Sequence, residues 1–313
     1  MMETVLRDAE LATILEGLRN DLEKHLRSKI EGRSDKLLIE RSLIGGKRLR
    51  PVLLLTVFKA LGGKEYQKAL DVAAALELAH SASLVHDDII DYDAVRRGQV
   101  SLWRAIGMGK AILQGHRIIN LAFDIVLSAG VEIARIFVDA WEKASRGILD
   151  EVLNKSVLTE RLYLIMIREK TASIFEAACH AGAVLAGAGE DVVRLLRKYG
   201  SEVGTAYQLA DDLAETYLKK RRGRILYILE EMRDRFLHLL IAQKTGRLPS
   251  LFRAVTPFTP REDFLKQQLF ERIRSAINIA KDPSIPDTPY RRILQKLPVY
   301  LVLQMFEEAR QQA

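Results

Sequence analysis

The sequence predicts an all-α fold, and three observations carry this prediction. Apolar residues recur at three- and four-residue steps, the period of one helix face, in five long segments. These segments span 11–26, 69–90, 132–153, 162–185 and 191–218. No segment alternates polar and apolar residues with period two, and good helix formers such as Ala, Leu, Glu, Lys and Arg are abundant. Pro51 is the only proline before Pro249, so little interrupts the earlier helices.

The N-terminal residues predict an amphipathic helix rather than a leader. Residues 1–26 are charged throughout and contain no apolar core of the kind found in secretory signals. The longest apolar-looking stretch, 117–137, carries Asp124 and Glu132, which favours a buried or amphipathic helix over a membrane span. We therefore expect a cytoplasmic protein without stable insertion into a membrane.

The C-terminal part differs from the rest, because seven of the eight prolines lie between 249 and 298. Segments 248–264 and 281–293 are predicted to be loops between short helices. No linker rich in Gly or Ser marks a second domain. We predict one domain over 1–313, with about 249–313 as a Pro-rich flanking segment, and ten or more helices in all.

The composition is that of a globular protein with a sizeable core, since 48% of the residues are hydrophobic and 28% are charged. The single Cys179 excludes a disulfide framework and a cysteine-rich metal site, and it favours a reducing compartment. The net charge of +7 is compatible with nucleic acid, an anionic membrane or an anionic small substrate. The positions of the charges have to decide among these partners.

Two acidic motifs with the pattern D-D-x-x-[DE] interrupt otherwise apolar helical segments, "DDIID" at 87–91 and "DDLAE" at 211–215. Each motif places its first and last acids one helical turn apart on one face. A single acidic helix face is usually just solvated. Two copies beside core-like sequence are different, because unpaired like charges there are costly. Carboxylates on a rigid face suit a hard divalent cation such as Mg²⁺, shared with substrate phosphates.

Basic residues add the complement to the acids. In "GGKRLRP", residues 45–51, two glycines allow the backbone to approach an anion closely, and Lys47, Arg48 and Arg50 follow. The segment is not a P-loop, since G-x-x-x-x-G-K-[ST] is absent. Further positive charge follows at Arg96, Arg97 and Lys170. Any one of these residues is most simply a surface charge, whereas acids and bases together describe a diphosphate site.

These residues, in this order, resemble the trans-prenyltransferases, also called polyprenyl diphosphate synthases. The matching motifs are "GGKRLRP", "LELAHSASLVHDDIIDYDAVRRGQ", "KTASIFEAA" and "YQLADD", within about 45–215. The resemblance implies an isoprenoid-synthase helical bundle around a deep central cavity, usually a homodimer. It also implies Mg²⁺-dependent, head-to-tail condensation of isopentenyl diphosphate with an allylic diphosphate.

The resemblance assigns roles to the residues at matching positions. Several Mg²⁺ ions per site would be held by Asp87, Asp88, Asp91, Asp211 and Asp212. The allylic diphosphate would be contacted by Arg96, Lys170 and Thr171. Isopentenyl diphosphate would be bound by Lys47, Arg50, His80 and Arg97, with Gln208 lining the same site. The catalytic set would comprise the five aspartates together with Arg96 and Lys170.

Departures from the family pattern cluster around the second acidic motif. Glu215 stands where Asp is usual, and "TYLKKRRGRILYILEE" replaces the glycine-lysine segment that usually follows. Lys219 and Lys220 are candidates to replace the missing lysines, although "KKRRGR" is equally well a solvated basic loop. Elsewhere, His116 stands where an acid is common and Val100 where proline is common.

Product length in the family depends on the size of the residues one or two turns before the first acidic motif. Here these residues are Ala79, Ala82 and Ser83, and none is bulky. The resemblance therefore predicts a product of C20 or longer, with C20–C25 favoured, as made by geranylgeranyl diphosphate synthases. Another helix can still supply the end of the cavity.

Three other functions stay open at this point. A less active or regulatory subunit of a hetero-oligomeric prenyl synthase fits the altered second motif but not the intact first one. A terpene cyclase shares helix-borne acids but does not need the second diphosphate site of "GGKRLRP". A nucleic-acid-binding protein fits the positive net charge, but zinc-ligand spacing and an aromatic-interleaved basic strand are absent. We therefore expect no nucleic acid partner.

Overall fold

The computed structural model describes residues 8–154, 159–221 and 261–312. Within these ranges the chain is helical apart from one short hairpin, so the predicted all-α class is confirmed. No helix in these ranges combines the length and the apolar character that a membrane span requires.

Twelve helices lie within the described ranges. In chain order they are α1 (Ala9–Ile30), α2 (Lys36–Leu43), α3 (Leu49–Ala60), α4 (Tyr66–Ile90), α5 (Leu102–Ile106), α6 (Met108–Ala129), α7 (Val131–Asn154), α8 (Glu160–Ile167), α9 (Ser173–Leu185), α10 (Glu190–Arg221), α11 (Glu262–Ala280) and α12 (Pro289–Gln312). An antiparallel hairpin of β1 (Val95–Arg96) and β2 (Gln99–Val100) lies between α4 and α5. One π-helical turn, Arg168–Ala172, joins α8 to α9.

Helices α3, α4 and α9 form the centre of the bundle, because they are apolar on almost every side. Residues 51–58 of α3 and residues 72–79 of α4 are buried without interruption. A Cβ at Gly182 of α9 would lie only 2.6 Å from the carbonyl oxygen of Leu54 in α3. The backbones of α3 and α9 therefore approach each other at a point where only glycine fits.

Helix α1 covers one side of this centre with a leucine-rich stripe. Its buried residues are Leu11, Leu15, Leu18, Leu22, Leu26 and Ile30. The helix begins after Asp8, whose carboxylate accepts a 3.0 Å hydrogen bond from the backbone N–H of Leu11. Asp8 also forms an ion pair with Lys296 of α12 at 2.5 Å, which ties the first helix to the last.

Two local features differ from the sequence-based expectation. The apolar stretch 117–137 is not one helix, because Gly130 with φ of 123° separates α6 from α7. The hairpin turns through Arg97 and Gly98, whose φ angles are 51° and 75°. Two positive φ angles in succession give the tight turn that matches strand twist. Strands of two residues are too short to produce a period-two pattern, so the sequence did not predict them.

Residues 261–312 form two long helices instead of the predicted short ones. Helix α11 has 19 residues and packs along α10, whereas α12 has 24 residues and packs against α3 and α10. Pro298 lies inside α12, and Pro289 begins it, so the predicted loop over 281–293 ends at 288. The single-domain interpretation of 1–313 stays a prediction, because residues 222–260 lie outside the described ranges.

Helix α10 continues beyond the second acidic motif through Lys219 and Lys220 to Arg221. The first half of the basic run "KKRRGR" is therefore helical and not a loop. The side chains of both lysines lie outside the described part of the chain, so their predicted contact with diphosphate stays a prediction.

Candidate active site

A cavity of about 690 Å³ opens between α3, α4, α7, α9 and α10. Most residues predicted from the motifs line it. They are Lys47, Arg50, Ala79, His80, Ser83, Asp87, Asp91, Arg96, Arg97, Lys170, Thr171, Gln208 and Asp211. The other three predicted residues, Asp88, Asp212 and Ala82, are not on its lining. The structure therefore brings motifs from distant parts of the chain around one space.

The first acidic motif ends α4. His80, Leu84, Asp87 and Asp91 all line the cavity, as expected for residues at steps of four, three and four on one helix face. The helix ends at Ile90, and Asp91 caps it by donating its backbone N–H to the carbonyl oxygen of Asp87 at 2.8 Å. The half-buried Asp87 thus lies in the last turn, with its side chain toward the cavity.

Asp88 is buried and turned away from the cavity lining. Its carboxylate accepts a 2.6 Å hydrogen bond from Nε of Arg96 in the hairpin and also contacts Nη2 of that residue. Burial raises the pKa of Asp88, and the Arg96 guanidinium opposes this rise. Asp88 therefore holds Arg96 at the cavity edge in this structure, whereas the sequence predicted it as a metal ligand.

The two aspartates of the second motif, on α10, differ in the same way as Asp87 and Asp88. Asp211 lines the cavity, whereas Asp212 is held beside it by neutral donors. Nε2 of Gln208 donates to one Asp212 oxygen at 2.9 Å, and the Tyr163 hydroxyl of α8 donates to the other. The Thr171 hydroxyl donates to Oε1 of Gln208 at 2.8 Å. This chain of hydrogen bonds joins the π-helical turn, α10 and α8.

Asp87 and Asp211 share an unusual electrostatic state. Burial raises the pKa of Asp87 to about 6, with Lys170 opposing the rise and Asp91 adding to it. Partial removal from water likewise raises the pKa of Asp211 to about 6, reinforced by Asp212, although the Asp211 side chain reaches solvent in the open cavity. In the described part of the chain neither carboxylate accepts a hydrogen bond. A cation beside them would favour their ionised forms.

The π-helical turn places Lys170 and Thr171, which are neighbours in sequence, on the same cavity wall. Such turns insert an extra residue into a helix and re-aim side chains. Nζ of Lys170 pairs with Oε2 of Glu151 on α7 at 2.5 Å. Burial lowers the pKa of Lys170, but Glu151, Asp87 and Asp91 together more than offset this, so the pKa is raised. A Cβ at Gly147 would lie 2.6 Å from the backbone nitrogen of Lys170, so α7 packs against the π-helical turn at a glycine.

In the "GGKRLRP" segment, Arg48 is among the lining residues, but its guanidinium is engaged in ion pairs with Glu23 and Glu77. It is buried with φ of 55°, and it donates to Glu23 at 2.7 Å and to Glu77 at 2.8 Å. A Cβ at Gly46 would lie 1.7 Å from Nη1 of Arg48, so only glycine leaves room for this ion pair. Removing one partner from such a buried pair is strongly destabilising.

Lys47, by contrast, reaches the cavity edge. Its Nζ pairs with Glu308 near the C-terminal end of α12. Each of the two side chains is 36% exposed. The C-terminal helix therefore contributes a negative charge to the site, which no motif in the sequence indicated.

Arg50, His80 and Arg97 form a cationic cluster on the lining. Nη1 of Arg50 donates to Nε2 of His80 at 3.1 Å, and the guanidinium lies 4.8 Å from the Phe175 ring centroid. Arginine has only donors, so neutral His80 carries its proton on Nδ1. Burial, reinforced by Arg50 and Arg97, lowers the pKa of His80 well below its ordinary value. Arg97 is fixed by a 3.2 Å hydrogen bond to the Ile44 carbonyl oxygen.

The cavity becomes apolar as it runs away from Lys170. The ion pair with Glu151 marks the charged end of α7, and the lining residues that lead away from it are Ile148, Ala144, Trp141, Ala140 and Phe137. At about 1.5 Å per residue, Phe137 lies about 21 Å along the helix from Glu151. Trp141 and Phe137 supply the bulk on this wall, whereas Ala79 and Ser83 of α4, which also line the cavity, are small.

Ala82 does not occupy the place that its predicted role in product length requires. It is fully buried in the hydrophobic core and absent from the cavity lining. At about 100° per residue, Ala82 is turned roughly 140° from the centre of the lining stripe of α4. Of the three predicted residues, only Ala79 and Ser83 face the cavity.

The carboxylates fit Mg²⁺ only together with other ligands. Across the described ranges, no group of three or more His, Cys, Asp and Glu side chains is arranged to hold a metal ion. Mg²⁺ commonly takes one or two carboxylates and completes its octahedron with water and substrate phosphates. Asp87, Asp91 and Asp211 line the cavity and could each supply such a carboxylate ligand. Asp88 and Asp212 are less suited to this role, because Arg96 and Tyr163 hold their oxygens.

Four residues that shape the site were missed by the sequence analysis, namely Trp141, Glu151, Tyr163 and Glu308. Glu151 shares the helical stripe of the apolar lining residues, which was a usable signal. Tyr163 lies 49 residues from Asp212, and Glu308 lies 261 residues from Lys47. No spacing rule connects residues so far apart in sequence.

Comparison with known proteins gives consistent matches. The family model described as polyprenyl synthetase matches residues 36–224. The chain is 30% identical over 266 residues to the geranylfarnesyl diphosphate synthase of Methanosarcina mazei, covering 84% of this chain and 83% of that protein. It is 37% identical over 180 residues to the geranylgeranyl diphosphate synthase of Sulfolobus acidocaldarius, covering 54% of each.

Solved structures extend the similarity to almost the whole fold. The geranylgeranyl pyrophosphate synthetase from Geoglobus acetivorans superposes with a TM-score of 0.72 at 25% identity, covering 92% of this chain and 99% of that one. The geranylgeranyl pyrophosphate synthetase from Pyrococcus horikoshii gives a TM-score of 0.71 at 25% identity, covering 95% and 98%. The predicted helical bundle around a central cavity agrees with both similarities.

Proposed function

Because the chain belongs to the polyprenyl synthetase family, we propose that it condenses isopentenyl diphosphate with an allylic diphosphate to form a trans-prenyl diphosphate. The observation that carries the proposal is the cavity, which has charged side chains at one end and apolar side chains at the other. Such a cavity suits substrates with an anionic head and a hydrocarbon tail. The named activities of the similar synthases support the same reaction.

The allylic diphosphate would lie between the two acidic motifs. Asp87, Asp91 and Asp211 would hold Mg²⁺, which when bound supplies Lewis-acid stabilisation of the leaving group. Lys170 would donate hydrogen bonds to diphosphate oxygens as the bond to carbon breaks, with Thr171 beside it. Arg96, held at the edge by Asp88, would add a fixed positive charge.

Isopentenyl diphosphate would occupy the cationic cluster. Arg50 is oriented by its contact with His80 and Arg97 by its hydrogen bond to the Ile44 carbonyl oxygen, and Lys47 lies at the cavity edge. His80 would donate through Nδ1 as a neutral imidazole, because Arg50 occupies its Nε2. Gln208, oriented by Thr171 and Asp212, would separate the two diphosphates.

The reaction needs the two diphosphate substrates to be aligned with each other and water to be excluded. The allylic C1–O bond breaks with its electron pair leaving on the diphosphate. The isopentenyl double bond then supplies the electron pair for the new carbon–carbon bond, and a neighbouring carbon loses a proton, for which the released diphosphate is the base. The apolar walls around Trp141 and Ala79 would keep water from capturing the allylic cation.

We further propose products of C20–C25. Extended polypeptide spans about 3.3–3.6 Å for three main-chain bonds, so an extended isoprene unit of four bonds spans about 5 Å. The path of about 21 Å from Glu151 to Phe137 then accommodates roughly four units. The names of the similar geranylgeranyl and geranylfarnesyl diphosphate synthases support this range.

One assay tests the proposed reaction. The purified chain is incubated alone with Mg²⁺, labelled isopentenyl diphosphate and dimethylallyl, geranyl or farnesyl diphosphate in turn, and the products are separated by length. We expect elongation of at least one primer, and no product after chelation of the metal. A chain that elongates none of the primers contradicts the proposal and favours the alternative of a regulatory subunit in a hetero-oligomeric synthase.

We also propose that the protein acts as a homodimer in the cytoplasm. The family resemblance supports the dimer, and light scattering at assay concentration would test it. The single cysteine, Cys179, is buried and suits a reducing compartment. Neither statement affects the assignment of the cavity.

A further inference from the structure

We propose that Glu308 of the C-terminal helix sets the affinity of the cavity for isopentenyl diphosphate, because it forms the ion pair with Lys47 that an incoming diphosphate has to replace. The inference rests on the proposed function, in which Lys47 binds that diphosphate. It adds to the site a residue that lies outside all the motifs and beyond the matched residues 36–224.

Helix α12 is firmly seated where it carries Glu308. Leu301, Val302 and Met305 are buried against the rest of the bundle. Glu308 lies seven residues after Leu301 and three after Met305, so it shares the face that packs inward. Its carboxylate is therefore directed toward the cavity edge by the packing of the helix, and not by chance exposure at a free end.

The charges explain why this contact opposes substrate binding. The Lys47 ammonium is satisfied by Glu308 in this structure. A diphosphate that takes Lys47 has to displace the carboxylate or lie beside it, and like charges in proximity raise the free energy of the complex. Both side chains are about one third exposed, so solvent moderates the effect.

The decisive measurement is the dissociation constant of isopentenyl diphosphate, obtained by calorimetry with and without the substitution Glu308→Gln. We expect binding to become about two- to five-fold tighter, the size typical of a partly exposed ion pair. The Michaelis constant for isopentenyl diphosphate should fall by a similar factor, with a smaller change for the allylic substrate.

Glu307→Gln is the matched control, because it removes the same charge from the neighbouring, exposed position of the same helix. It should leave the dissociation constant within error. In a Lys47→Met background, Glu308→Gln should lose most of its effect, since the two residues act through one contact. A purely structural role for Glu308 predicts instead a lower melting temperature with no change in affinity.

Unchanged or weaker binding in Glu308→Gln, or an equal gain in Glu307→Gln, would overturn the inference. A wild-type chain that binds isopentenyl diphosphate but elongates no primer contradicts the proposed reaction alone, because the affinity comparison still stands. A wild-type chain that does not bind isopentenyl diphosphate overturns both.

Discussion

The two acidic motifs share a sequence pattern and an arrangement, but they differ in what supports them. In each, the first aspartate, Asp87 or Asp211, lines the cavity with its pKa raised to about 6. In each, the second aspartate is turned aside and held by a donor. Asp88 is held by the charged guanidinium of Arg96, whereas Asp212 is held by neutral groups.

This difference shows that two copies of one sequence motif can have different charged surroundings. The first motif carries its own positive charge at the cavity edge through Arg96. The second motif has the neutral donors Tyr163 and Gln208 at Asp212, and its positive neighbour is Lys47. Less of its negative charge is therefore compensated inside the protein. We infer that ionisation of the second motif relies more on bound cations, and the predictions below test the division of roles within each motif.

The largest effect is expected at the first aspartate of each motif. Asp87→Asn and Asp211→Asn should each lower kcat/KM by about 10²–10³-fold, because both remove a charge that faces the leaving group. Asp88→Asn and Asp212→Asn should cost about tenfold, since these residues act through neighbours. Steady-state kinetics with saturating Mg²⁺ provides the measurement. Equal losses at both positions of a motif would contradict the division of roles.

Among the residues that hold the second aspartates, the charged Arg96 should matter more for kcat/KM than the neutral Tyr163. Arg96→Met leaves the buried Asp88 without its partner and should lower kcat/KM by about 10–100-fold. Tyr163→Phe removes one of two neutral donors from Asp212 and should lower it by about three- to tenfold. The comparison uses the same assay and substrate range for both variants. If Tyr163→Phe proved the more damaging, the second motif would be the more tightly supported one.

On α4, product length should depend on Ala79 and Ser83, which line the cavity, and not on Ala82. Ala79→Phe narrows the cavity and should shorten the main product by at least one C5 unit, measured by chromatography of the dephosphorylated products. Ala82→Phe is the matched control, because it inserts the same ring into the core and should lower the melting temperature without changing product length. Shorter products from Ala82→Phe would show that our placement of this residue is wrong.

The smallest effect concerns the stability of the metal-free chain. The pKa of Asp87 is about 6 in the folded state against an ordinary 3.8, so the folded state binds the proton more tightly. Its contribution to stability is therefore full below about pH 4 and is lost as the pH rises through about 6. Because Asn does not ionise, Asp87→Asn should melt about 1–3 °C above wild type at pH 7.5.

At pH 4 this difference in melting temperature should vanish, and Mg²⁺ with a diphosphate should narrow it at pH 7.5. Differential scanning calorimetry at both pH values makes the comparison. The same difference at pH 4 and pH 7.5 would show that packing, not ionisation, causes it.

Much of the fold and site was predictable, because the relevant signals are local. The stripe of α1 and the face of α4 that carries His80, Asp87 and Asp91 follow from helical spacing alone. The break at Gly130 and the uninterrupted helix through Pro298 were not predicted, since each depends on a backbone path that neighbouring helices determine. The role of Ala82 in product length stays a prediction. Its side chain lies in the core and not on the cavity lining, because a motif specifies a position in the sequence and not the direction of a side chain.

Residue chemistry and spacing alone determined the helical class, the two carboxylate motifs and the kind of ligand that they suit, because these depend on neighbours within one or two turns. Only the tertiary structure decided which aspartate of each pair faces the cavity and what holds the other. It also decided that Glu151 supports Lys170 and that Glu308 engages Lys47. These contacts join residues on separate helices, and packing of the whole bundle is what brings their charges within reach of one another.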